Sequence, residues 1–207
     1  MSKAEKNTKS YWSDKRVLVT GATGFLGTHL VKKLIDLNPK EIKAIGSKDY
    51  DLRNFGDCVK VVKGMDIVVH LAANVGGIGY NRAHPAEIFE DNILMGTFTM
   101  KAAREEGVRK YVAIGTVCSY PKFTSIPFRE EKLFNGYPEE TNAPYGLAKL
   151  MQLVQAQAYR QQYNFKSIVL FPTNLYGPRD NFDPKYANVI PSLINKIFQA
   201  KKNNDTT

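Results

Sequence analysis

The chain has 207 residues, of which 43% are hydrophobic and 24% are charged. This is sufficient for one sizeable hydrophobic core, so we expect one domain or slightly more. No apolar run approaches the length of about eighteen residues that a membrane span requires, and residues 1–15 lack the apolar segment of a secretory signal. We therefore expect a cytoplasmic protein that does not bind membranes.

The formal net charge of +9 admits a polyanionic partner such as nucleic acid. Apart from short clusters at Lys32-Lys33 and Lys201-Lys202, however, the basic residues are scattered singly and are not interleaved with aromatic residues. We expect no nucleic-acid partner; a phosphorylated cofactor and a diphosphate-bearing substrate would use some of the excess charge. Cys58 and Cys118 are too few for a disulfide framework and lack the spacing of a zinc site.

Residues 1–14 are predicted to form a polar lead, and a first strand follows at Arg16–Thr20. The strand leads into glycines at positions 21, 24 and 27 and then into an amphipathic helical segment. Gly21 and Gly24 permit a tight turn and a close approach to a pyrophosphate, while Gly27 lets the helix lie close to the strand. Because free amides at the helix N-terminus favour phosphate, the segment predicts a dinucleotide site. A tight turn without a ligand is the less favoured alternative.

The second strand, predicted at Glu41–Ile45, is followed by Gly46-Ser47-Lys48-Asp49. An acidic residue at this position would accept hydrogen bonds from the ribose hydroxyls of NAD. Here a hydroxyl and a cation, Ser47 and Lys48, precede the carboxylate of Asp49. They would pair with a 2′-phosphate, which favours NADP, although Asp49 is close enough to make the register ambiguous.

The middle of the chain predicts a repeated strand and helix pattern. A loop at residues 74–80 is rich in glycine and is expected to be a flexible cover over a ligand. The other elements are a helical crossover at 51–64, a buried strand at 66–73, a helix from 84 to 103 and a strand at 110–115.

Thr116 and Cys118 follow the fourth strand, and in a strand-like extension their side chains would point the same way. Thr116 could hold a substrate carbonyl. A cysteine here is more often a small core residue, which is the competing interpretation. The following residues, 120–142, predict an active-site loop anchored by Phe128, Leu133 and Phe134.

Tyr145 and Lys149 lie near the start of a predicted helix, for which Asn142 is the expected N-cap and Pro144 an early helical residue. Residues four apart lie on one helical face, about one turn from each other. A nearby ammonium lowers the pKa of a phenol from its reference value of about 10, which makes it a usable acid or base. Taken alone, the pair is more often part of a surface.

Four junctions between a strand and the following loop change that interpretation: residues 21–27, 72–80, 115–122 and 172–178. In an open parallel sheet all four lie at the carboxyl edge, where ligands bind. The sequence therefore predicts a doubly wound α/β domain (a Rossmann fold) with Tyr145 and Lys149 at its ligand site.

These motifs resemble the extended short-chain dehydrogenase/reductase family, and within it the enzymes that use NADPH to epimerise and reduce GDP-4-keto-6-deoxy-mannose. The resemblance runs from about Arg16 to the end of the chain. It implies a dinucleotide-binding domain at 15–180, the start of a substrate domain at 181–207, and a homodimer packed through the helices at 86–103 and 145–162. The motifs are Gly-Ala-Thr-Gly-Phe-Leu-Gly at 21–27, Ser-Lys-Asp at 47–49, His-Leu-Ala-Ala at 70–73, Val-Gly-Gly-Ile at 75–78, Cys-Ser-Tyr-Pro-Lys at 118–122, Tyr-Gly-Leu-Ala-Lys at 145–149 and Pro-Thr-Asn-Leu-Tyr-Gly-Pro-Arg-Asp-Asn-Phe at 172–182.

By this resemblance, hydride passes from NADPH to C4 of the keto sugar while Tyr145 donates a proton. Lys149 would lower the pKa of Tyr145 and hold the nicotinamide ribose. Thr116, which stands where the family has Ser, would hydrogen-bond the C4 oxygen, and Cys118 matches the family's base for epimerisation.

The resemblance also implies the binding residues. For the cofactor these are Gly21, Ala22, Thr23, Gly24, Phe25, Leu26, Gly27, Ser47, Lys48, Asp49, Leu71, Ala72, Ala73, Ile114, Gly115, Tyr145, Lys149, Pro172, Thr173, Asn174 and Leu175; for the GDP-sugar substrate they are Asn174, Asn188, Val189 and Lys196.

Asn188 departs from the family, which has a proton-donating His before the Val-Ile-Pro segment. An amide cannot deliver a proton near neutral pH, so reduction is expected to survive better than epimerisation. Family members also continue well beyond residue 207, and their further part closes over the substrate. Two hypotheses therefore stay open: a sugar-nucleotide reductase, or a non-catalytic NADP-binding module or dimerisation partner.

Overall fold

The computed structural model describes residues 10–183 and 186–204. Five parallel strands form one sheet in the order β2-β1-β3-β4-β5. The strands are β1 (Arg16–Thr20), β2 (Glu41–Ile45), β3 (Ile67–His70), β4 (Lys110–Ile114) and β5 (Ser167–Leu170); the helices are α1 (Phe25–Leu37), α2 (Phe55–Val62), α3 (Ile78–Ala83), α4 (Pro85–Glu105), α5 (Ala143–Tyr163) and α6 (Val189–Asn203), with short 3-10 turns at Val117–Ser119 and Glu130–Lys132.

Successive residues of a strand point to opposite sides of the sheet, so a strand of apolar residues is apolar on both. Helices cover both faces of this sheet. On one face, Val17 and Val19 of β1 pack with Leu34 of α1. On the other, Leu18 and Tyr111 belong to a larger core to which α2, α4 and α5 contribute. This confirms the predicted doubly wound parallel sheet.

The chain reverses direction across the sheet at β1. β2 pairs with one side of β1, whereas β3 pairs with the other, in the register Thr20↔His70. A crevice opens beyond the carboxyl ends of the strands at such a switch point, and ligands bind there in α/β sheets. A ligand site is therefore expected beyond the ends of β1 and β3.

The glycine-rich segment at 74–80 differs from its prediction, because residues 78–83 form the short helix α3. Gly77 is the N-cap residue, and its backbone N–H donates to the carbonyl of Tyr186 at 3.0 Å. A contact spanning more than a hundred residues fixes this segment, and local composition gives no sign of it. The segment is thus a loop followed by a short helix, and it contributes Asn74, Val75, Gly76 and Ile78 to the lining of the crevice.

Within the loop at 120–142, Leu133 is buried, but Phe128 and Phe134 are about half exposed. The Phe128 ring nevertheless packs on the buried ring of Tyr120, with the two centroids 4.8 Å apart, so the prediction of three apolar anchors was wrong for Phe134. Along the described part of the chain, no helix combines the length and apolar character needed to cross a membrane.

Candidate active site

The glycine turn after β1 lies on the floor of the crevice. Gly21 has a φ of +65°, and a Cβ there would come within 2.8 Å of the backbone nitrogen of Ala72. A Cβ on Gly27 would come within 2.2 Å of the carbonyl oxygen of Gly21. These two contacts exclude larger residues and hold α1 against the turn, as the sequence predicted.

The N-terminus of α1 is open to an anion. Its N-cap residue, Gly24, has no side chain to occupy the first amides, and the first turn contains no acidic residue. Unsatisfied amides and the positive end of the helix dipole favour a phosphate at this point.

Thr20 and His70 join the ends of β1 and β3, and sequence reasoning missed this pair. The Thr20 hydroxyl oxygen accepts hydrogen bonds from the backbone N–H groups of Leu71 and Ala72, both at 3.2 Å, and lies 2.9 Å from Nδ1 of His70. Burial, together with the charge of Lys149, lowers the pKa of His70 to about 3. The imidazole is therefore neutral at physiological pH, so Nδ1 can accept the Thr20 proton.

The segment after β2 is organised differently from its prediction. The Asp49 carboxylate accepts a hydrogen bond from the Gly46 N–H at 2.7 Å, and so closes the turn on itself. Ser47 lines the crevice, whereas Lys48 is exposed and lies outside its walls. Of the three residues predicted to contact the adenosine ribose, the crevice wall contains Ser47.

Thr116 and Cys118 are not part of a strand-like extension, because residues 117–119 form a 3-10 turn. The Thr116 hydroxyl oxygen accepts a hydrogen bond from the Cys118 N–H at 3.2 Å, which favours the turn. Both side chains nevertheless line the same crevice.

The 3-10 turn packs directly on α5. The Ser119 hydroxyl donates to the carbonyl of Gly146 at 2.8 Å, and a Cβ on Gly146 would lie 2.2 Å from the carbonyl oxygen of Cys118. A glycine directly after Tyr145 thus lets the helix approach the segment that carries Thr116 and Cys118. This contact fixes the position of Tyr145 relative to both.

Tyr145 and Lys149 both line the crevice from α5, so they lie on one face of the helix, as their spacing predicted. Lys149 is 2% exposed, and burial lowers its pKa to about 8. Burial raises the pKa of Tyr145 above its ordinary value, and Cys118 raises it further. The expected lowering of the Tyr145 pKa by Lys149 was therefore wrong for this structure, because the loss of water around the buried phenol raises that pKa.

Asn142 occupies the N-cap position of α5, but its side chain makes no capping hydrogen bond. Instead its Oδ1 accepts from Nδ2 of Asn81 at 3.0 Å, and its Nδ2 donates to Glu139 at 2.8 Å. Asn81 was not predicted as a site residue. Its bond to Asn142 ties α3 to the start of the helix that carries Tyr145.

A polar cluster that was also missed lies on the far wall of the crevice. Arg53 binds both carboxylate oxygens of Asp51 at 2.9 Å and reaches Asp91 at 3.1 Å. Asp91 in turn accepts from the side-chain amide of Asn74 at 2.9 Å. The signal in the sequence was the run Asp51-Leu52-Arg53 soon after β2, which brings charged side chains to the ligand edge of the sheet.

The crevice has a volume of about 1120 Å³. This exceeds the range of roughly 300–1,000 Å³ typical for a single small molecule, so there is room for a dinucleotide beside a substrate. The predicted site residues that line it are Gly21, Thr23, Gly24, Phe25, Leu26, Gly27, Ser47, Leu71, Ala72, Ala73, Ile114, Gly115, Thr116, Cys118, Tyr145, Lys149, Pro172, Thr173, Asn174, Leu175, Asn188 and Val189.

Four predicted site residues lie outside this wall: Ala22, Lys48, Asp49 and Lys196. Ala22 is buried beneath the glycine turn, and Lys196 is exposed on α6. Asn188, the N-cap residue of α6, lines the crevice without capping the helix through its side chain.

A model of the NAD dependent epimerase/dehydratase family matches residues 17–206. The chain belongs to this family. Among the relatives of this epimerase/dehydratase chain, a probable GDP-L-fucose synthase 1 of Oryza sativa subsp. japonica is 37% identical over 201 residues, which are 94% of this chain and 61% of the relative. The GDP-L-fucose synthase of Escherichia coli is 33% identical over 196 residues, which are 93% of this chain and 60% of the relative. The chain thus spans about three fifths of the length of these curated relatives.

Solved structures of the family superpose closely. A GDP-L-fucose synthetase from Naegleria fowleri bound to NADP gives a TM-score of 0.81 at 32% identity, covering 93% of this chain and 60% of that one. A GDP-6-OMe-4-keto-L-xylo-heptose reductase from C. jejuni gives a TM-score of 0.86 at 27% identity, covering 91% of this chain and 55% of that one. The family resemblance expected from the motifs is confirmed.

Proposed function

We propose that this chain binds NADPH and carries the reductase site of a sugar-nucleotide epimerase/reductase of the GDP-L-fucose synthase type. The proposal rests chiefly on one observation: Thr116, Cys118, Tyr145 and Lys149 line the same crevice as the glycine turn at the β1/β3 switch point. The relatives from Oryza sativa and Escherichia coli and the NADP-bound structural neighbour support the cofactor and the substrate class.

The chain's own residues suit a dinucleotide. The free amides at the start of α1 would hold the pyrophosphate, Ser47 would face the adenosine ribose, and Lys149 the nicotinamide ribose. Bound NADPH would supply the hydride for reduction of the C4 ketone of GDP-4-keto-6-deoxy-mannose.

Tyr145 would donate the proton in that reduction. Its raised pKa keeps the phenol protonated at neutral pH, so the proton is present to be transferred. The Thr116 oxygen already accepts from the Cys118 N–H, so its hydroxyl proton is directed elsewhere and can hold the substrate carbonyl. Lys149, with a pKa of about 8, is mostly protonated at neutral pH and stabilises developing negative charge.

Epimerisation needs both a base and an acid. Cys118 lines the crevice and is the candidate base. At the N-cap of α6, Asn188 offers an amide that cannot release a proton near neutral pH. We therefore propose that reduction is the stronger activity and that epimerisation is impaired or redirected.

The test is NADPH oxidation with GDP-4-keto-6-deoxy-mannose, followed by the loss of nicotinamide absorbance. Turnover that falls by about a hundred-fold or more in Tyr145→Phe, with unchanged NADPH affinity, would support Tyr145 as the acid. Incorporation of solvent deuterium at C3 and C5 tests epimerisation, and Asn188→His should increase it. NADPH binding without any turnover in the wild type would contradict the enzymatic proposal.

That last outcome would instead favour the second candidate, a non-catalytic NADP-binding module or dimerisation partner. One observation favours it: Lys196, the candidate substrate-phosphate cation, is exposed outside the crevice wall. Such a module would bind NADPH with ordinary affinity while remaining inactive even with Asn188→His.

We further infer a homodimer formed through the helices at 86–103 and 145–162. Within these ranges, Phe89, Met151 and Val154 remain more than a third exposed. Val154→Glu should convert a dimer to a monomer in light scattering, whereas Ile35→Glu, at an exposed position of α1, should leave the dimer intact. A monomeric wild type would contradict the inference.

A further inference from the structure

A second, smaller groove of about 310 Å³ lies beside the crevice, between α1 and the end of β2. Thr23 lines both, so the groove opens next to the glycine turn. Two cationic residues, Lys32 of α1 and Arg179, line the groove and are absent from the crevice wall.

Arg179 is brought to the groove by the backbone. The preceding residues pack on α1: a Cβ on Gly177 would lie 3.7 Å from the ring of Phe25, and the carbonyl of Pro178 lies 2.8 Å from Nε2 of His29. Arg179 has a φ of +72°, a conformation that costs a non-glycine residue energy. The other described non-glycine residues at positive φ are asparagines that end helices: Asn38, Asn164 and Asn204.

The charges of Lys32 and Arg179 are not neutralised by a carboxylate within 4.0 Å among residues 10–183 and 186–204. Arg53, the arginine in the crevice wall, differs because it is engaged by Asp51 and Asp91. Two cations beside a threonine hydroxyl suit a compact, doubly charged anion.

We propose that this groove holds the 2′-phosphate of NADP, with Arg179 and Lys32 as the residues that select NADP over NAD. The proposal rests on the dinucleotide binding proposed above. Asp49, which could have accepted hydrogen bonds from the ribose of NAD, is instead engaged by the Gly46 N–H. Lys48 lies outside the walls of both the crevice and the groove. The groove therefore supplies the cations that the segment after β2 does not.

The experiment compares the dissociation constants of NADPH and NADH, measured by nicotinamide fluorescence, and competition by 2′,5′-ADP against 5′-ADP. Arg179→Asn removes the charge with a residue that tolerates positive φ, and Lys32→Gln removes the second cation. Each should weaken NADPH and 2′,5′-ADP binding by about ten-fold, the value of one charge-assisted contact, and leave NADH unchanged. Lys33→Gln, an exposed neighbour on α1 outside the groove, should change neither.

The outcomes separate the two proposals. If Lys48→Gln removes the preference for NADPH while Arg179→Asn and Lys32→Gln do not, the assignment of the groove is wrong and dinucleotide binding stands. The assignment of the groove is also wrong, and dinucleotide binding stands, if the groove variants weaken the binding of NADPH and NADH equally. If the wild type binds neither dinucleotide, the proposed function fails and the groove assignment fails with it.

Discussion

The helices α5 and α6 both contribute residues to the crevice, yet they are held in different ways. α5 has seven buried residues, among them Lys149 and Gly146, and packs against α4 and the sheet. In α6 the buried residue is Pro191, while Leu193, Ile197 and Phe198 are at least half exposed. One wall of the site is therefore built into the core, and the other rests on its surface.

This difference determines what each helix can do chemically. Burial on α5 changes the protonation of its functional groups, since Lys149 has its pKa lowered to about 8 and Tyr145 has its pKa raised. Lys196 on α6 remains exposed, and a charge in water contributes little electrostatic energy until a partner excludes that water. The proposed proton donor is thus set up by the fold, whereas the proposed phosphate contact is not.

The largest expected effect comes from the contact between α5 and the 3-10 turn. Gly146→Ala would force a Cβ to within 2.2 Å of the Cys118 carbonyl, and backbone cannot move aside as a side chain can. We expect a loss of about 4 kcal/mol in the free energy of unfolding, far more than the gain of about 1 kcal/mol that alanine normally brings to a helix.

Gly79→Ala is the matched control, because Gly79 lies on α3 and a Cβ added there would meet nothing within 4 Å. The substitution should be neutral or slightly stabilising. Urea unfolding measures both variants. Equal stability of the two would mean that α5 does not depend on this close approach.

The second prediction concerns the buried charge. Lys149→Met should raise the free energy of unfolding of the cofactor-free protein by about 3 to 4 kcal/mol at pH 7, because lowering the pKa of Lys149 from 10.5 to about 8 costs about 1.4 kcal/mol per pKa unit. The same variant should lose NADPH turnover, a trade of function for stability.

The stability difference between Lys149→Met and the wild type should depend on pH. Below pH 8 the folded wild type must hold a charged Lys149 in its interior. The free energy of unfolding of Lys149→Met therefore exceeds that of the wild type by the full amount there. Between pH 8 and 10.5 the folded state releases this proton before the unfolded state does. The difference in the free energy of unfolding between Lys149→Met and the wild type should therefore narrow. Lys33→Met, an exposed control on α1, should show neither the gain nor its pH dependence.

His70 provides the third prediction. Its pKa is about 3 in the folded protein against 6.5 in the reference state, so the unfolded chain binds a proton first as the pH falls. Stability should be full above pH 6.5 and decline by about 2 kcal/mol between pH 6.5 and 5. His70→Gln should flatten this decline in urea unfolding, while an equal slope in both proteins would mean that other groups control it.

The strands and long helices could be predicted from sequence, because β-branched runs and a 3.6-residue period report burial directly. The strands predicted at 16–20, 41–45, 66–73 and 110–115 form at those places within a few residues. The spacing of Tyr145 and Lys149 likewise gave their common orientation, since helix geometry is local.

What could not be predicted depends on distant contacts, on burial and on the side-chain geometry of turns. The N-cap residue of α3 donates a hydrogen bond to the carbonyl of Tyr186. The side chain of Asn142 accepts a hydrogen bond from Asn81 instead of capping α5. The direction of the Tyr145 pKa depends on how much water the fold removes, a quantity that residue spacing does not contain. Asp49 is an acidic residue of the kind expected to contact the ribose, but its carboxylate instead accepts a hydrogen bond from the Gly46 N–H.

The smallest expected effect tests whether α6 truly lies on the surface. Phe198 is 61% exposed, so Phe198→Ser removes little buried apolar area and should change the free energy of unfolding by no more than about 0.5 kcal/mol. Leu150, 3% exposed on α5, is the matched site, and Leu150→Ala should cost about 2 to 4 kcal/mol through lost burial and a cavity. If Phe198→Ser proved as costly as Leu150→Ala, α6 would be covered in solution, and both walls of the crevice would then be part of a packed interior.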